Sequence, residues 1–371
     1  MHICLVISSL AAGGAERVVA TLASTWVGQS DGIQVSVVTG DSGNEPAYAL
    51  ASSVKHIALN LQSSSVGILS ALRATKYRIR ALRSALTDLK PDCVVAFMDE
   101  MAVLVSVASL GTNVPVIAAL RSDPRGPHLN SIWRWMRRPF FQYGCAAVVV
   151  QTGSAYRIAQ MLFPRAPLYI IPNPLPQLPQ PPPMSERRRL VVSVGRLVST
   201  KGLDDLITAF SRSLGPMENW RLHIYGEGPE RTRLEQQIKS LGVGNAVQLM
   251  GTTDKIFDHL AEASVFAFAS RTEGFPNGLF EAAAMGCACV STDCEFGPRD
   301  ILGEHMRGLL VPTNDIGALT NAINQLIGNL RLRQDLSQRA LELRDTHRAE
   351  TIAARWLRLI QVCAAAREGV Y

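Results

Sequence analysis

The stretch Arg271–Val290, RTEGFPNGLFEAAAMGCACV, predicts a strand end, a short loop and a helix in succession. The apolar run Val265–Ser270 just before it has the length of a strand, and Gly278–Met285 has the composition of a helix. Asn277 is suited to cap that helix and Gly286 to end it. A strand joined to a helix by a short loop is the repeating unit of a parallel, doubly wound sheet.

Two carboxylates of this stretch, Glu273 and Glu281, fall on either side of the loop. Glu273 would follow the carboxyl end of the strand, and Glu281 would lie in the first turn or so of the helix. Open α/β sheets bind ligands in that crevice, and a helix N-terminus there attracts anions such as phosphate. The alternative is an ordinary connection that carries two surface glutamates.

The chain has 371 residues, of which 47% are hydrophobic and 18% charged. This length favours two domains over one, and the composition is typical of a folded α/β protein. The longest apolar stretch, Met101–Leu120, is interrupted by glycine, asparagine and proline, so it predicts a helix, a turn and a strand rather than a membrane span. The N-terminal sequence lacks the basic start of a secretory signal.

Seven cysteines are scattered among apolar residues without a C-x-x-C pair. They predict reduced core thiols in a cytoplasmic protein. The net charge of +6 favours anionic partners, which include nucleotides, phospholipid head groups and nucleic acid. Charge alone does not choose among these.

Short apolar runs alternate with amphipathic segments in both halves of the chain, which predicts two parallel sheets of the Rossmann type. A proline-rich stretch over residues 173–183 predicts an extended linker between a first domain, residues 1–172, and a second domain, residues 184–350. The predicted strands are His2–Ile7, Gln34–Thr39, His56–Leu59, Cys93–Phe97, Val116–Leu120, Ala146–Gln151 and Leu168–Ile171, then Leu190–Val194, Trp220–Tyr225, Val247–Leu249 and Val265–Ser270.

Glycines and cations stand at several of the predicted strand ends. Gly13 and Gly14 lie where the chain enters its first helix, so backbone N–H groups there can approach a phosphate or a sugar. They do not form the G-x-G-x-x-G spacing, which disfavours an NAD-dependent dehydrogenase. Arg196 and Lys201 lie in a loop between a strand and a helix, where each can pair with a diphosphate. Gly226 lets a ligand pass close to the backbone, although such residues also occur in ordinary loops.

Four motifs follow one another in the second half: GRLVSTKG at 195–202, YGEGP at 225–229, LMG at 249–251 and EGFPNGLFE at 273–281. Together with GGAER at 13–17, they resemble the retaining GT-B glycosyltransferases of family 4 over nearly the whole chain. The resemblance implies two Rossmann-like domains with parallel sheets that face each other across a deep cleft. It also implies that a final helix, in residues 351–371, crosses back onto the first domain.

The resemblance assigns roles to single residues. Arg196 and Lys201 would hold the diphosphate of a nucleotide-sugar donor, and both count with Glu273 among the catalytic residues. Glu281 would hold the ribose, and Glu273 the hydroxyls of the donor sugar. The other donor contacts would come from Gly13, Gly14, Arg121, Gly226, Met250, Gly274, Phe275, Pro276 and Asn277. Because two cations and a helix N-terminus would stabilise the leaving diphosphate, neither a metal nor another cofactor is expected.

Members of this family are thought to react on one face of the donor sugar, so Glu273 would orient the donor and form no covalent bond with it. Many relatives carry a histidine near the reacting sugar, where this chain has Arg121 and Asp123. Arg121 cannot act as a base at neutral pH, but it could bind a phosphate of the donor or of the acceptor. Asp123 is the candidate to orient or deprotonate the acceptor hydroxyl. The alternative is that Asp123 only begins the turn before Pro124.

Aromatic residues stand beside cations in the segment Trp133, Arg134, Trp135, Arg137 and Arg138. This combination predicts a surface that binds an anionic membrane or the acceptor. A helix with a solvated basic face and a nucleic-acid patch are the alternatives, and we expect no nucleic-acid partner.

GGAER at 13–17 together with FGPRDI at 296–301 is similar to the motifs of bacterial enzymes that build surface polysaccharides and lipid-linked oligosaccharides. The expected reaction moves a hexose or N-acetylhexosamine from a nucleotide-diphosphate sugar, a UDP-sugar, to a lipid-linked saccharide, with an α linkage. The expected location is the inner face of the cytoplasmic membrane, as a peripheral protein. A nucleotide-sugar epimerase and a non-catalytic nucleotide- or lipid-binding protein are the rival hypotheses.

Overall fold

This computed structural model describes residues 1–11, 13–29, 32–43, 45–61, 68–127, 129–303 and 305–366, with residues 68 and 69 described by their backbone alone. The chain divides into two compact units. The N-terminal unit comprises Met1–Pro176 and His347–Tyr371, and the C-terminal unit comprises Gln177–Thr346. Ala12 of the glycine-rich loop and residues 367–371 of the predicted first domain lie outside the described residues.

The N-terminal unit is built on one parallel sheet, as its unbroken apolar runs predict for strands covered on both faces. Its strands are β1 (His2–Ile7), β2 (Gln34–Thr39), β3 (Lys55–Ala58), β4 (Cys93–Phe97), β5 (Val116–Ala119), β6 (Ala147–Val150) and β7 (Leu168–Ile170). They are arranged in the order β3-β2-β1-β4-β5-β6-β7. The order therefore reverses between β1 and β4, which pair directly.

Helices connect these strands. They are α1 (Gly14–Gln29), α2 (Ile68–Leu89), α3 (Asp99–Ala108), α4 (Ser131–Pro139), which continues as a π-helical turn (Phe140–Gly144), and α5 (Gly153–Leu162). The predicted helix, turn and strand within Met101–Leu120 are confirmed as α3, a turn and β5.

The C-terminal unit repeats this architecture. Its strands are β8 (Arg188–Val194), β9 (Arg221–Tyr225), β10 (Val247–Gly251), β11 (Ala263–Phe268), β12 (Ala288–Thr292) and β13 (Gly308–Val311), arranged in parallel as β10-β9-β8-β11-β12-β13. Its helices are α6 (Leu203–Arg212), α7 (Arg231–Ser240), α8 (Ile256–Glu262), α9 (Asn277–Ala284), α10 (Ile316–Gly328), α11 (Leu330–Leu341) and α12 (Leu343–Thr346). Here the strand order reverses between β8 and β11, which also pair directly.

Three details around α9 were predicted, with mixed outcome. Gly286 follows the helix with φ 68°, which confirms it as the residue that ends α9. Asn277 as N-cap is wrong, because Pro276 holds that position and Asn277 is the first helical residue. The predicted strand Val265–Ser270 is shifted, since β11 begins at Ala263, directly after α8. The apolar pattern alone does not show where the strand pairing begins and ends.

The last helix, α13 (Ala349–Ala365), belongs to the N-terminal unit. Its Ile352, Trp356 and Ile360 are fully buried in the core of that unit. The indole N–H of Trp26 in α1 donates to the backbone O of Ala353 at 3.0 Å. These apolar and polar contacts fix α13 against α1.

The beginning of the proline-rich stretch packs within the N-terminal unit. Asn173 and Leu175 are buried, and the backbone N–H of Leu175 donates to the backbone O of His347 at 2.8 Å. Residues 173–176 are therefore structural parts of this unit, whereas the sequence assigns them to the linker. Among the described residues, no helix is long and apolar enough to cross a membrane.

All seven cysteines are buried and free, and burial raises the pKa of each. The pKa reaches about 12 for Cys4 and Cys294 and about 11 for Cys145, Cys287 and Cys363. The pKa values of Cys93 and Cys289 are raised as well.

Thiol titration tests this arrangement. We expect an aromatic disulfide reagent to modify the cysteines slowly at pH 8 in the native protein, because thiolate is the reactive form and burial suppresses it. All seven should react at once in guanidinium chloride. Rapid stoichiometric labelling of the native protein would contradict this expectation.

Candidate active site

The site of the C-terminal unit lies where the strand order reverses, between β8 and β11. The loop after β8 carries Arg196 and Lys201, and the loop after β11 carries Glu273. The ammonium of Lys201 forms an ion pair with Oε1 of Glu273, across 72 positions of sequence. Their side chains are 20% and 8% exposed, so the pair is shielded from bulk solvent and correspondingly stronger than a surface pair.

Arg271 fixes the turn that carries Lys201. Its guanidinium donates to the backbone O of Ser199 and forms ion pairs with Asp204 at 3.0 Å and Asp205 at 2.6 Å. Its backbone N–H donates to the backbone O of Thr200 at 2.8 Å. Sequence reasoning assigned Arg271 no role, although it stands two residues before Glu273 and near the same crevice.

The start of α9 approaches the end of β8. A Cβ on Gly278 would lie 3.2 Å from the backbone O of Val194, so the small residue allows this close packing. Glu281 is buried within the helix, with 6% of its surface exposed. The ring planes of Phe275 and Phe280 lie nearly at right angles to each other, with ring centroids 5.3 Å apart. The loop residues Gly274, Phe275 and Pro276 therefore lead directly into the N-terminus of α9, which begins at Asn277.

Arg196 differs from Lys201, because it is exposed and its side chain has no ion pair among the residues that the structure describes. Gly226 has φ 141°, and a Cβ there would lie 1.9 Å from the backbone O of Gly195, so no other residue fits without a shift of the backbone. Met250, 40% exposed, stands at the end of β10 beside this turn. The strand ends of β8, β9 and β10 thus form one exposed edge that is lined by backbone.

Cys294 is a neighbour of this site that the sequence did not indicate. Burial raises the pKa of its thiol most, and the negative charge of Glu273 raises it further, while Lys201 lowers it. A neutral, small side chain therefore stands near the Lys201–Glu273 pair.

The predicted residues of the N-terminal unit start with the glycine-rich turn. The side chain of Glu16 folds back over Gly13, whose Cβ would lie 2.2 Å from Oε2 of Glu16. The carboxylate accepts hydrogen bonds from the backbone N–H groups of Ala15 and Glu16, although burial raises its pKa. These N–H groups of α1 therefore reach a phosphate only if Glu16 moves, and the donor role of Gly13 and Gly14 stays a prediction.

Arg121 follows β5 and points its guanidinium into the interior of the N-terminal unit. The Nη1 atom donates to Oδ1 of Asn173 at 2.7 Å, and the same oxygen accepts from Gln151 at 2.8 Å. The guanidinium carbon lies 4.9 Å from the centre of the Phe97 ring and 5.6 Å from that of Trp356. Burial lowers the pKa of Arg121 to about 9.

Asp123 begins a turn, because the backbone N–H of Gly126 donates to its backbone O. This was the alternative to a catalytic role in the sequence analysis. Both of its carboxylate oxygens accept from Nε of Arg125, at 2.9 and 3.0 Å. Its function as a base is therefore not supported by this arrangement and stays a prediction.

The aromatic and basic segment is α4, and the structure corrects the expectation for Arg137. This side chain is 3% exposed, pairs with Asp99, and donates to the backbone O of Pro124 at 2.6 Å. It points inward because residues of a helix face different directions at steps of 100°, and the α4 face that contacts α3 contains Arg137. Arg134, Trp135 and Arg138 remain exposed.

The exposed side of α4 combines Ile132 and Trp135, 68% and 78% exposed, with Arg134 and Arg138. Tyr143 of the π-helical turn is also exposed and accepts from Arg165 at 2.9 Å. We call Ile132, Arg134, Trp135, Arg138 and Tyr143 the α4 surface. Trp133 is only partly exposed.

Family models match both halves of the chain. The model described as "Glycosyltransferase Family 4" matches residues 12–176, and the model "Glycosyl transferases group 1" matches residues 176–343. Their junction falls at the division between the two units.

Single proteins match as well. An exopolysaccharide phosphotransferase of Streptomyces coelicolor is 31% identical over 78% of this chain, although the match spans only 28% of that protein. An α-1,4-N-acetyl-D-galactosaminyltransferase of Campylobacter jejuni, which acts on a GalNAc-containing saccharide of PP-undecaprenol, is 27% identical over 97% of this chain and 98% of that protein.

Among solved structures, HepE from Anabaena in complex with UDP and glucose superposes with a TM-score of 0.77 and 18% identity, over 98% of this chain and all of that chain. This likeness shows the fold. The parallel sheet in each unit, the ordered motifs and the two family models agree, and the chain belongs to the GT-B glycosyltransferases of family 4.

Proposed function

We propose that this glycosyltransferase moves a hexose or N-acetylhexosamine from a UDP-sugar to a hydroxyl of a lipid-linked saccharide in polysaccharide or glycan biosynthesis. The observation that carries the proposal is the ion pair of Lys201 with Glu273 at the reversal of strand order, with Arg196 in the same loop. A buried carboxylate that is held by a cation can take sugar hydroxyls, and the cations can take a diphosphate.

The pair implies a division of roles on donor binding. The diphosphate attracts Lys201 and Arg196, which releases the Glu273 carboxylate to accept hydrogen bonds from the sugar. Arg271 holds the turn of Lys201 in place, so little reorganisation is needed when charge develops on the leaving diphosphate. Glu281, in α9, is assigned to the ribose.

We infer that the reaction retains the anomeric configuration, giving an α linkage, and that it needs no metal ion. The positive charge that a metal would supply can come from Lys201, Arg196 and the N-terminus of α9. Turnover should therefore persist in excess chelator. Loss of turnover in chelator that is restored by a divalent cation would contradict metal independence.

The acceptor class rests on the relative from Campylobacter jejuni, whose name gives a saccharide of PP-undecaprenol, and on the α4 surface. Aromatic rings and cations side by side suit the head-group region of an anionic membrane. The protein would then work as a peripheral protein at the inner face of the cytoplasmic membrane.

A thermal-shift panel of UDP-, GDP- and ADP-sugars tests the donor. A ligand at about 100 times its Kd stabilises the folded protein by about 2.7 kcal/mol, so the true donor should stand out. The product of the stabilising donor with a prenyl-diphosphate saccharide is then analysed for its anomeric linkage. Stabilisation by none of the UDP-sugars would contradict the nucleotide assignment.

Two rival functions remain distinguishable. A nucleotide-sugar epimerase would convert the donor when no acceptor is present, whereas a transferase would leave its sugar unchanged apart from slow hydrolysis. A non-catalytic binding protein would be stabilised by the donor but form no product with any acceptor.

Vesicle flotation tests the α4 surface. We expect binding to vesicles rich in phosphatidylglycerol that weakens at high salt, and about 5-fold weaker binding for Arg138→Gln, because one basic residue at an anionic surface is worth about 1 kcal/mol. Trp135→Ala should weaken binding too. The control is Met217→Ala in the C-terminal unit, where an equally exposed side chain is removed. Equal flotation of all variants would contradict the membrane role.

A further inference from the structure

Three buried N–H donors on Arg121 and its neighbour Trp356 have no acceptor among the residues that the structure describes. They are Nε and Nη2 of Arg121 and Nε1 of Trp356. The carboxylates near Arg121 in sequence and fold are engaged elsewhere, Asp99 with Arg137 and Asp123 with Arg125. Buried donors without acceptors are uncommon in native proteins, and each requires an explanation.

The other buried indole near α13, that of Trp26, has a hydrogen-bond acceptor on this helix. The N–H of Trp26 donates to the backbone O of Ala353 in α13, the helix that also carries Trp356. A buried indole N–H in this unit can therefore find a backbone acceptor. Among the described residues of this unit, the other buried donors without an acceptor are Nε of Arg137, whose guanidinium is already paired with Asp99, and the hydroxyl of Ser109. Three such donors come together only where Arg121 meets Trp356.

This neighbourhood lies at the carboxyl ends of β4 and β5. Phe97 is the last residue of β4, Arg121 stands two residues beyond β5, and β4 pairs with β1 where the strand order reverses. Doubly wound sheets bind ligands at this position. Met98, directly after β4, has φ 75° and ψ 149°, a strained conformation of the kind that clusters at functional sites.

The guanidinium of Arg121 contacts two rings and one side-chain oxygen, but it has no negatively charged partner among the described residues. The rings of Phe97 and Trp356 offset part of its desolvation by cation–π attraction. The remaining cost shows in the pKa, which burial lowers to about 9. A water molecule would supply an acceptor without charge, whereas an anionic oxygen would supply both. The residue as a whole is only half-buried, so part of it reaches the surface of the unit.

We propose that Arg121 and the indole N–H of Trp356 bind a phosphate oxygen of the acceptor, which is a saccharide on a lipid diphosphate. The inference rests on the acceptor class of the proposed function and assigns Arg121 to the acceptor instead of the donor. The planar fork of a guanidinium matches phosphate oxygens better than an ammonium does. Asn173 accepts a hydrogen bond from the remaining nitrogen, Nη1, and Gln151 holds Asn173 in place by donating to the same oxygen.

The test is a thermal shift of the full chain with inorganic pyrophosphate as the probe. Saturating UDP fills the donor site first, and a parallel series in the Lys201→Met variant weakens binding of pyrophosphate at the donor site whether or not UDP binds. Pyrophosphate should stabilise the protein in both series. Arg121→Met should bind the probe about 10- to 100-fold more weakly, as expected for loss of hydrogen bonds from a charged group. Trp356→Phe, which keeps a ring but loses the N–H, should bind it several-fold more weakly.

The melting temperature without ligand separates a binding role from a structural one. Arg121→Met should melt at the same temperature as the unchanged protein or higher, because it removes a buried cation that has no counter-ion. The matched control is Arg125→Met in the same loop, whose cation is exposed and paired with Asp123; it should keep the full response to pyrophosphate. An undiminished response of Arg121→Met to pyrophosphate would overturn the proposal, and so would a melting temperature of Arg121→Met below that of the unchanged protein.

Glycerol 3-phosphate, a stand-in for a phospholipid head group, distinguishes the source of the phosphate. A response that depends on Arg121 and is larger for pyrophosphate supports the lipid-diphosphate acceptor, and a larger response to glycerol 3-phosphate overturns it. Failure of this proposal differs from failure of the proposed function. In the first case the UDP-sugar still stabilises the protein while pyrophosphate acts independently of Arg121, and in the second no UDP-sugar binds.

Discussion

Lys201→Met is expected to lower kcat/KM for sugar transfer by about 100- to 1,000-fold, the effect of removing one preorganised group that stabilises charge in the transition state. The substitution removes a cation from the leaving diphosphate. It also leaves Glu273, whose side chain is 8% exposed, without its partner in the crevice between β8 and β11. Steady-state kinetics with the UDP-sugar identified by the thermal-shift panel measures the loss.

Lys239→Met is the matched control, because Lys239 is an exposed lysine at the end of α7. It should leave kcat/KM unchanged. The double variant Lys201→Met with Glu273→Gln should lose less than the product of the two single losses, since the two side chains contact each other and act together. A Lys201→Met enzyme as active as Lys239→Met would refute the role of the pair.

Arg137→Met is expected to destabilise the N-terminal unit by about 3–5 kcal/mol, because it leaves the buried carboxylate of Asp99 without its cation. The change also removes the hydrogen bond to the backbone O of Pro124 and the contact with the ring of Phe163. Urea unfolding measures the loss by tryptophan fluorescence. Four of the five tryptophans lie in this unit, so its transition dominates the signal.

Arg138→Met is the control for that experiment, because Arg138 is the next residue of α4 and its side chain is exposed. It should shift the unfolding midpoint little. Adding Asp99→Leu to Arg137→Met should recover much of the lost stability, as the two apolar side chains no longer bury an unpaired charge. If Arg137→Met and Arg138→Met unfold at the same urea concentration, the buried pair contributes nothing to stability.

Much of the fold follows from local sequence patterns. The apolar runs of β1, β4, β8 and β9 are continuous and bounded by turn residues, so the strands were predicted within one or two residues. The parallel order follows from their alternation with helices. Both ends of β11 lie two residues before their predicted positions, because strand ends depend on pairing with β8 and β12.

The sequence predicted some residues of the candidate site but not the contacts between them. Lys201 and Glu273 were predicted from motifs at strand ends, and the resemblance to a family placed them with one ligand. Their direct ion pair, and the clamp that Arg271 forms on the same turn, depend on segments about 70 positions apart in sequence. No local pattern specifies which loops meet at a strand end.

The sequence alone determined that this chain forms two parallel α/β units with cations and carboxylates at their strand ends, because hydrophobic periodicity and turn residues act over a few positions. The tertiary structure alone decided which of these charges are compensated. Arg134, Arg137 and Arg138 stand within five positions of α4, yet only Arg137 meets a buried carboxylate, since the packing of α4 on α3 selects one face of the helix. Arg121 is buried by Phe97 and Trp356, which come from distant parts of the chain, and it has no counter-ion among the described residues.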